Sequence, residues 1–199
     1  MSRNVLLIDN LDSFSFNLVE AFERLDATVR VLRNTVDAAH AAALAREQDA
    51  LVVLSPGPGG PQDAGCTLDL IGLLKGRLPV FGICLGHQAI VHQAGCAVER
   101  APTPFHGRSS TLSHDGAGPF KGFEGPVAVG RYHSLCTREV PPRFRVHAAI
   151  DGMAMAISDD SALQTGLQFH PESILTPGGD RMLANILASR WPPEAERTL

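Results

Sequence analysis

The sequence predicts an α/β domain with a mostly parallel central sheet, helices on both faces, and a mixed or antiparallel sheet region. Three observations predict it. The first half alternates short, nearly continuous apolar runs with amphipathic helical stretches, the pattern of parallel strands buried on both faces. The second half changes to short segments of alternating polarity, the pattern of strands in a mixed sheet. The chain has 199 residues, 44% of them hydrophobic and 19% charged, which suits one core in an ordinary globular domain.

Val5 to Asp9 reads as a buried strand, and the last residues of the turn Asn10-Leu11-Asp12-Ser13 are suited to cap a helix. That helix carries Phe14, Leu18, Ala21, Phe22 and Leu25 on one face. Thr28 to Leu32 is a second strand, Val36 to Glu47 an Ala-rich helix, and Ala50 to Leu54 a third strand. The loop Ser55-Pro56-Gly57-Pro58-Gly59-Gly60-Pro61 follows, then a helix from about Cys66 to Lys75, the strand Val80 to Ile83 and the helix Leu85 to Gln93. Further strands are expected around Ser109–Ser113, Val127–Tyr132, Arg145–Ile150, Met153–Ile157 and Gly166–Phe169. Asp180 to Arg190 closes the fold as a helix, and Trp191-Pro192-Pro193 cannot continue it. With no repeat, low-complexity tract or linker, the reading is one domain over residues 1–199, with its core at about 4–190 and a short tail at 191–199.

Net charge is −4 and the pI near 6.0, which argues against a nucleic-acid partner. No apolar run is long enough to span a bilayer, and Asp9 ends the N-terminal apolar stretch too early for a signal peptide. A cytoplasmic location is the expectation. Cys66, Cys84, Cys96 and Cys136 form no CxxC pair and no tight spacing with histidine, so no metal site is expected and the thiols should be free.

Chemistry concentrates in three segments. Gly82-Ile83-Cys84-Leu85-Gly86 falls where a buried strand meets a helix, the setting of a nucleophile elbow. Glycines on both flanks let the backbones approach, and the helix N-terminus favours an anionic sulfur. The Leu85 amide is then aimed at a developing oxyanion. A thiol nucleophile needs a base, and the base an orienter. Phe169-His170-Pro171-Glu172 supplies both, because residues i and i+2 of extended chain point the same way, roughly 6.5–7 Å apart. The third segment, Ser55 to Gly59, leaves the C-terminal end of a parallel strand, where ligands bind. It lacks the Lys and Ser/Thr of a phosphate loop. His87, His92, His114 and His147 read as structural or exposed.

These segments, with Asp9-Asn10-Leu11-Asp12-Ser13-Phe14, Gly86-His87-Gln88, Tyr132-His133-Ser134-Leu135 and Gln168-Phe169-His170-Pro171-Glu172-Ser173, resemble the class I (triad) glutamine amidotransferases from about residue 4 to 190. The resemblance narrows to the small glutaminase subunits of anthranilate synthase and aminodeoxychorismate synthase. It implies Cys84 as nucleophile, His170 as base and Glu172 as its orienter. It further implies oxyanion amides from Gly59 and Leu85, and a glutamine pocket of Gly57, Pro58, Gly59, Leu85, Gln88, Ser134 and Leu135. His106-Gly107-Arg108-Ser109 is similar to a segment that contacts the synthase, with Arg108 where the family usually has Lys, a change that keeps charge but alters donor geometry. The implied partners are L-glutamine and a chorismate-using synthase. No cofactor is implied for this chain, and Mg2+ is expected in the synthase. Asp151-Gly152-Met153-Ala154-Met155-Ala156-Ile157 and Asp63-Ala64-Gly65-Cys66 look more like the anthranilate type, which implies a place in tryptophan biosynthesis. A subunit serving aminodeoxychorismate synthase or both enzymes, a free-standing γ-glutamyl hydrolase, and a non-enzymatic binding protein are the alternatives. His170-Pro171-Glu172 speaks against the last.

Overall fold

The computed structural model describes residues 3–190, so the tail read at 191–199 lies outside the described residues. The chain forms strands β1 Arg3–Asp9, β2 Ala27–Arg33, β3 Leu51–Leu54, β4 Val80–Ile83, β5 Glu99–Arg100, β6 Arg108–Leu112, β7 Val127–Arg131, β8 Leu135–Cys136, β9 Arg145–Ile150, β10 Met153–Asp159 and β11 Gln164–Leu167. Its α-helices are α1 Ser15–Glu23, α2 Ala38–Glu47, α3 Thr67–Leu74, α4 Leu85–Gln93 and α5 Gly179–Arg190.

A 7-stranded sheet in the order β2-β1-β3-β4-β11-β10-β9 forms the centre. Only β10 runs against its neighbours. Alternation along β1 explains the layering: Val5 and Leu7 face one core with Leu18 and Phe22 of α1 and Met182, Leu183, Ile186 and Leu187 of α5. Leu6 and Ile8 face the other, against Ala41, Ala45, Leu70, Ile71, Leu74 and Ile90. Both faces being buried, β3 and β4 are apolar at almost every position, and all their residues are inaccessible. The chain leaves β1 for β2 and returns to β3 on β1's other side. The direction of winding therefore changes between β1 and β3, and ligands bind at the carboxyl ends of strands near such a point. Among the described residues no helix is long and apolar enough to cross a membrane.

The strands and helices of the first half stand within a residue or two of their expected ends. Four features differ. Ser13 caps nothing: Phe14 holds the N-cap position of α1 with no side-chain cap. The turn is tied instead by the Asp9 carboxylate, which accepts from the amides of Leu11 and Asp12 and the hydroxyl of Ser15. The segments around Ser109 and Val127 pair with each other as a separate two-stranded sheet rather than joining the mixed sheet. Alternation specifies which face of a strand is buried but not which sheet it joins. A further small pair, β5 with β8, was not foreseen. The strand expected at Gly166–Phe169 runs from Gln164 to Leu167, and the chain turns at Pro171–Glu172 instead of staying extended.

Of the four histidines read as structural or exposed, His87 and His147 are buried. His147 is clamped between the Asp115 carboxylate and the Ser158 hydroxyl. His87 and His133 are buried as neutral rings, chiefly by desolvation, and their pKa values fall from 6.5 to about 4. The unfolded chain therefore takes up protons before the folded one as pH drops through 6.5. Stability is full above that pH and is lost toward pH 4, by up to about 3 kcal/mol per ring. Urea unfolding at pH 7 and pH 4.5 checks this, and His87→Gln, which cannot titrate, should flatten the dependence.

Candidate active site

The carboxyl ends of β1, β3, β4 and β11 converge on one edge of the sheet, and each contributes a loop to a cleft of about 310 Å³. It is lined by Asp12, Phe14, Pro56, Gly57, Cys84, His106, Gly107, Tyr132 and His170. The floor is the elbow between β4 and α4. Cys84 sits at φ +51°, ψ −101°, a conformation that costs a non-glycine residue about 1–3 kcal/mol and persists only where the surroundings impose it. They do so here. The Cys84 amide bonds Leu167 O on β11, and its carbonyl accepts the Gln88 amide to start α4. A Cβ at Gly82 would stand 2.4 Å from the Gly86 carbonyl, and one at Gly86 would stand 2.4 Å from Leu54 O. Both flanking glycines are thus required by backbone contact, as the G-x-C-x-G spacing suggested.

His170 and Glu172 meet through the turn. Nδ1 of the ring lies 2.7 Å from Glu172 Oε1, with both side chains almost wholly buried. Because the carboxylate only accepts, the ring proton on this side sits on Nδ1. Nε2 has no oxygen or nitrogen partner among the described residues, and Cys84 lines the same cleft. Burial disfavours the imidazolium, but the Cys84 sulfur and the Glu172 carboxylate, by hydrogen bonding and charge, outweigh it and push the His170 pKa up to about 10. Tyr132 and Phe14 pack edge-on against the ring at 4.9 and 5.4 Å between centroids. The His170 amide bonds Gly130 O, and its carbonyl accepts the Thr176 hydroxyl at 2.6 Å. The imidazole is thus fixed at Nδ1 and along its ring edges, with Nε2 left toward the cleft.

The loop after β3 is fixed by a buried polar knot. Asn10 bonds Ser55 through both its backbone and its side-chain amide, while its Oδ1 accepts from Asn34 and Thr67. Gly57 packs against Asn10 so closely that a Cβ there would meet Asn10 O at 2.5 Å. Pro56 and Gly57 line the cleft; Pro58 and Gly59 are exposed further out, and the Cβ direction of Gly59 faces Asp63. Gln88 is buried, with its amide shared between Leu135 O and Gln168 Oε1 at 3.0 Å each. Ser134 is exposed, and its carbonyl is occupied by the Ala101 amide. His106 and Gly107 line the cleft, whereas Arg108 and Ser109 lie exposed on β6.

Sequence reasoning assigned no role to Gln168, whose Nε2 lies 3.7 Å from Cys84 Sγ. Nor did it foresee the Phe14–Tyr132 packing around the base. Both sit inside motifs that were noted, but only the fold reveals what they touch. All four cysteines are free thiols. Burial pushes the Cys66 and Cys136 thiols up, and neither has a histidine arranged as Cys84 has.

The chain is thus an α/β domain with a doubly covered sheet, a cysteine elbow and a buried His–Glu pair at the sheet's carboxyl edge. The family model described as glutamine amidotransferase class-I matches residues 6–189, and the chain belongs to that family. Over 184 residues it is 50% identical to the pyocyanine-specific anthranilate synthase component 2 of Pseudomonas aeruginosa, covering 92% of each chain. It is 42% identical to anthranilate synthase component 2 of Buchnera aphidicola subsp. Schizaphis graminum (92% of this chain, 94% of the relative). Haemophilus influenzae has a relative of the same name at 42% identity (90% and 94%). Among solved structures, a protein from Thermoplasma acidophilum described as a GMP synthase subunit superposes with a TM-score of 0.82 at 21% identity (96% and 95% covered). A glutamine amidotransferase from Thermotoga maritima gives 0.76 at 17% (97% and 100%). At those identities the likeness is one of fold.

Proposed function

We propose that this chain is the glutaminase subunit of an anthranilate synthase: it hydrolyses L-glutamine through Cys84, His170 and Glu172 and delivers ammonia to a chorismate-using synthase subunit. The observation that carries this is the buried 2.7 Å His170–Glu172 contact beside an elbow cysteine at the floor of the cleft, together with relatives named as component 2 at 42–50% identity. His170, its pKa raised to about 10, already holds the thiol proton, and the Cys84 thiolate attacks the side-chain amide carbon of glutamine. The tetrahedral oxyanion is met by backbone amides, that of Leu85 at the start of α4 foremost. As the C–N bond breaks, His170 returns the proton to the leaving ammonia. Water, deprotonated by the same ring, then cleaves the γ-glutamyl thioester and releases glutamate. Glu172 keeps the ring oriented and balances its charge throughout.

Ammonia protonated in bulk water is no longer a nucleophile, so its release must face the consuming subunit. Exposed apolar side chains support a docked partner there: Leu11 and Phe16 flank the cleft-lining loop after β1, and Ile174 follows Glu172 at 93% exposure. His106 and Arg108 extend the same rim in this reading. The protein acts in the cytoplasm, and the anthranilate serves tryptophan synthesis or, as the name of the Pseudomonas relative suggests, a secondary product. Anthranilate fluorescence after mixing with the synthase, chorismate and glutamine tests the assignment. A product identified as aminodeoxychorismate would redirect it. Alone, the subunit should be a poor glutaminase, and adding synthase with chorismate should raise kcat/KM by about tenfold or more. An unchanged kcat/KM would leave a free-standing hydrolase as the better reading.

A further inference from the structure

Arg131 is a cation held at 1% exposure, and among the described residues it makes no ion pair. Its guanidinium lies 3.4 Å from the centroid of the Phe105 ring, and its Nε points at His133 Nε2 at 3.1 Å. A guanidinium has only donors, so His133 Nε2 must accept and the ring proton must sit on Nδ1. Nδ1 lies 2.8 Å from the Leu135 carbonyl, so that contact is a donation with no alternative sense. The same carbonyl receives Gln88 Nε2 at 3.0 Å; Gln88 also donates to Gln168, and Gln168 reaches Cys84 Sγ. Hydrogen bonds of defined direction thus connect Arg131 to the nucleophile.

The far end of this chain is stitched to the rim of the cleft. The Phe105 amide bonds His133 O, the Gly107 amide bonds Arg131 O, and Arg131 Nη1 approaches Ser110 Oγ at 3.4 Å. Phe105 also stacks on the His133 ring at 5.4 Å. Any movement of residues 105–110 must therefore move Arg131 and His133, whose polar groups are buried and costly to leave unpaired.

We propose that His133, locked by Arg131 as its Nδ1–H tautomer, is a positioning residue for glutamine hydrolysis: it fixes the Leu135 carbonyl and, through Gln88 and Gln168, couples the 105–110 segment to Cys84. This rests on the glutaminase reading above and adds to it a route by which an occupant of the rim adjusts the nucleophile. An unconstrained imidazole favours Nε2–H, so the locked form has a signature of its own.

The test uses the subunit in its complex with the synthase. His133→Ala should lower kcat/KM for glutamine by about 10- to 100-fold, the scale of a sub-ångström to ångström misplacement. His133→Asn, whose side-chain amide can still donate to Leu135 O, should recover to within about fivefold of wild type. Circular dichroism and Tm distinguish misfolding from mispositioning, and an Asn variant as folded but no more active than Ala overturns the proposal. Ring nitrogen NMR on the free subunit is the second measurement. It should show Nδ1–H for His133 in wild type and Nε2–H gaining in Arg131→Met, whereas Nε2–H in wild type would overturn the proposal whatever the kinetics. A wild-type complex that hydrolyses no glutamine overturns both the function and the coupling. An active wild type matched by His133→Ala overturns the coupling alone.

Discussion

Cys84→Ser is expected to abolish glutamine-dependent anthranilate formation by the complex, by about 10⁴-fold or more, because an alcohol at this position would be a far weaker nucleophile than a sulfur beside His170. Ammonium salt at alkaline pH still supports synthesis by the same preparation, since the acceptor chemistry belongs to the other chain. The contrast separates the two halves of the proposed reaction. If both activities are lost together in a complex shown to be assembled, Cys84 is structural and the assignment fails. Glu172→Gln keeps the side chain's shape but replaces a charged acceptor of the Nδ1 proton with a neutral one. A smaller loss is expected there than from His170→Ala, because in the proposed reaction Glu172 orients the base and does not accept the proton.

The second large effect concerns an atom that is missing. Gly86→Ala places a methyl group 2.4 Å from Leu54 O and 2.7 Å from Leu54 Cβ. Neither can retreat without pulling β3 out of register with β1 and β4. The overpacking costs about 1–3 kcal/mol or more of stability. The displacement of α4 that relieves it moves the nucleophile, at a cost of about 100-fold in activity per ångström. Gly72→Ala is the control. It lies on the exposed side of α3, where a new Cβ meets only Gln93 Nε2 at 3.4 Å, and should stabilise by up to about 1 kcal/mol. Thermal melts and glutamine turnover for the two variants decide it; equal behaviour would mean that the elbow contact does not constrain the site.

How much of this was legible in the chain follows from the range of the interactions involved. β4 and α4 match their expected limits because an apolar run, two glycines and an amphipathic stretch are all local signals. Cys84, His170 and Glu172 were legible for a related reason: each needs a neighbour within two residues to be intelligible, a glycine for the elbow and a carboxylate for the base. Gln168 was not, since its meaning depends on Gln88, 80 positions away. The β6–β7 pair failed for the opposite reason. Its alternation was clear, but nothing local says that Arg108 pairs with Arg131 rather than extending the central sheet. The turn after β1 was misread because its last residues were expected to cap the helix, whereas Asp9, counted as the end of a strand, ties the turn through the amides of Leu11 and Asp12.

The strand order has a consequence for synthesis on the ribosome. β11, the last strand among the described residues, lies inside the sheet, between β4 and β10. Until about residue 167 has left the exit tunnel, β4 presents an unpaired parallel edge, and the β9–β10 pair has no strand joining it to the rest of the sheet. The N-terminal part can gather its own layers but must wait with one open flank, the state in which nascent sheets are most exposed to mispairing. The same late insertion carries His170 and Glu172 into place immediately behind it. A translation product that ends before β11 therefore lacks an interior strand of the sheet together with His170 and Glu172.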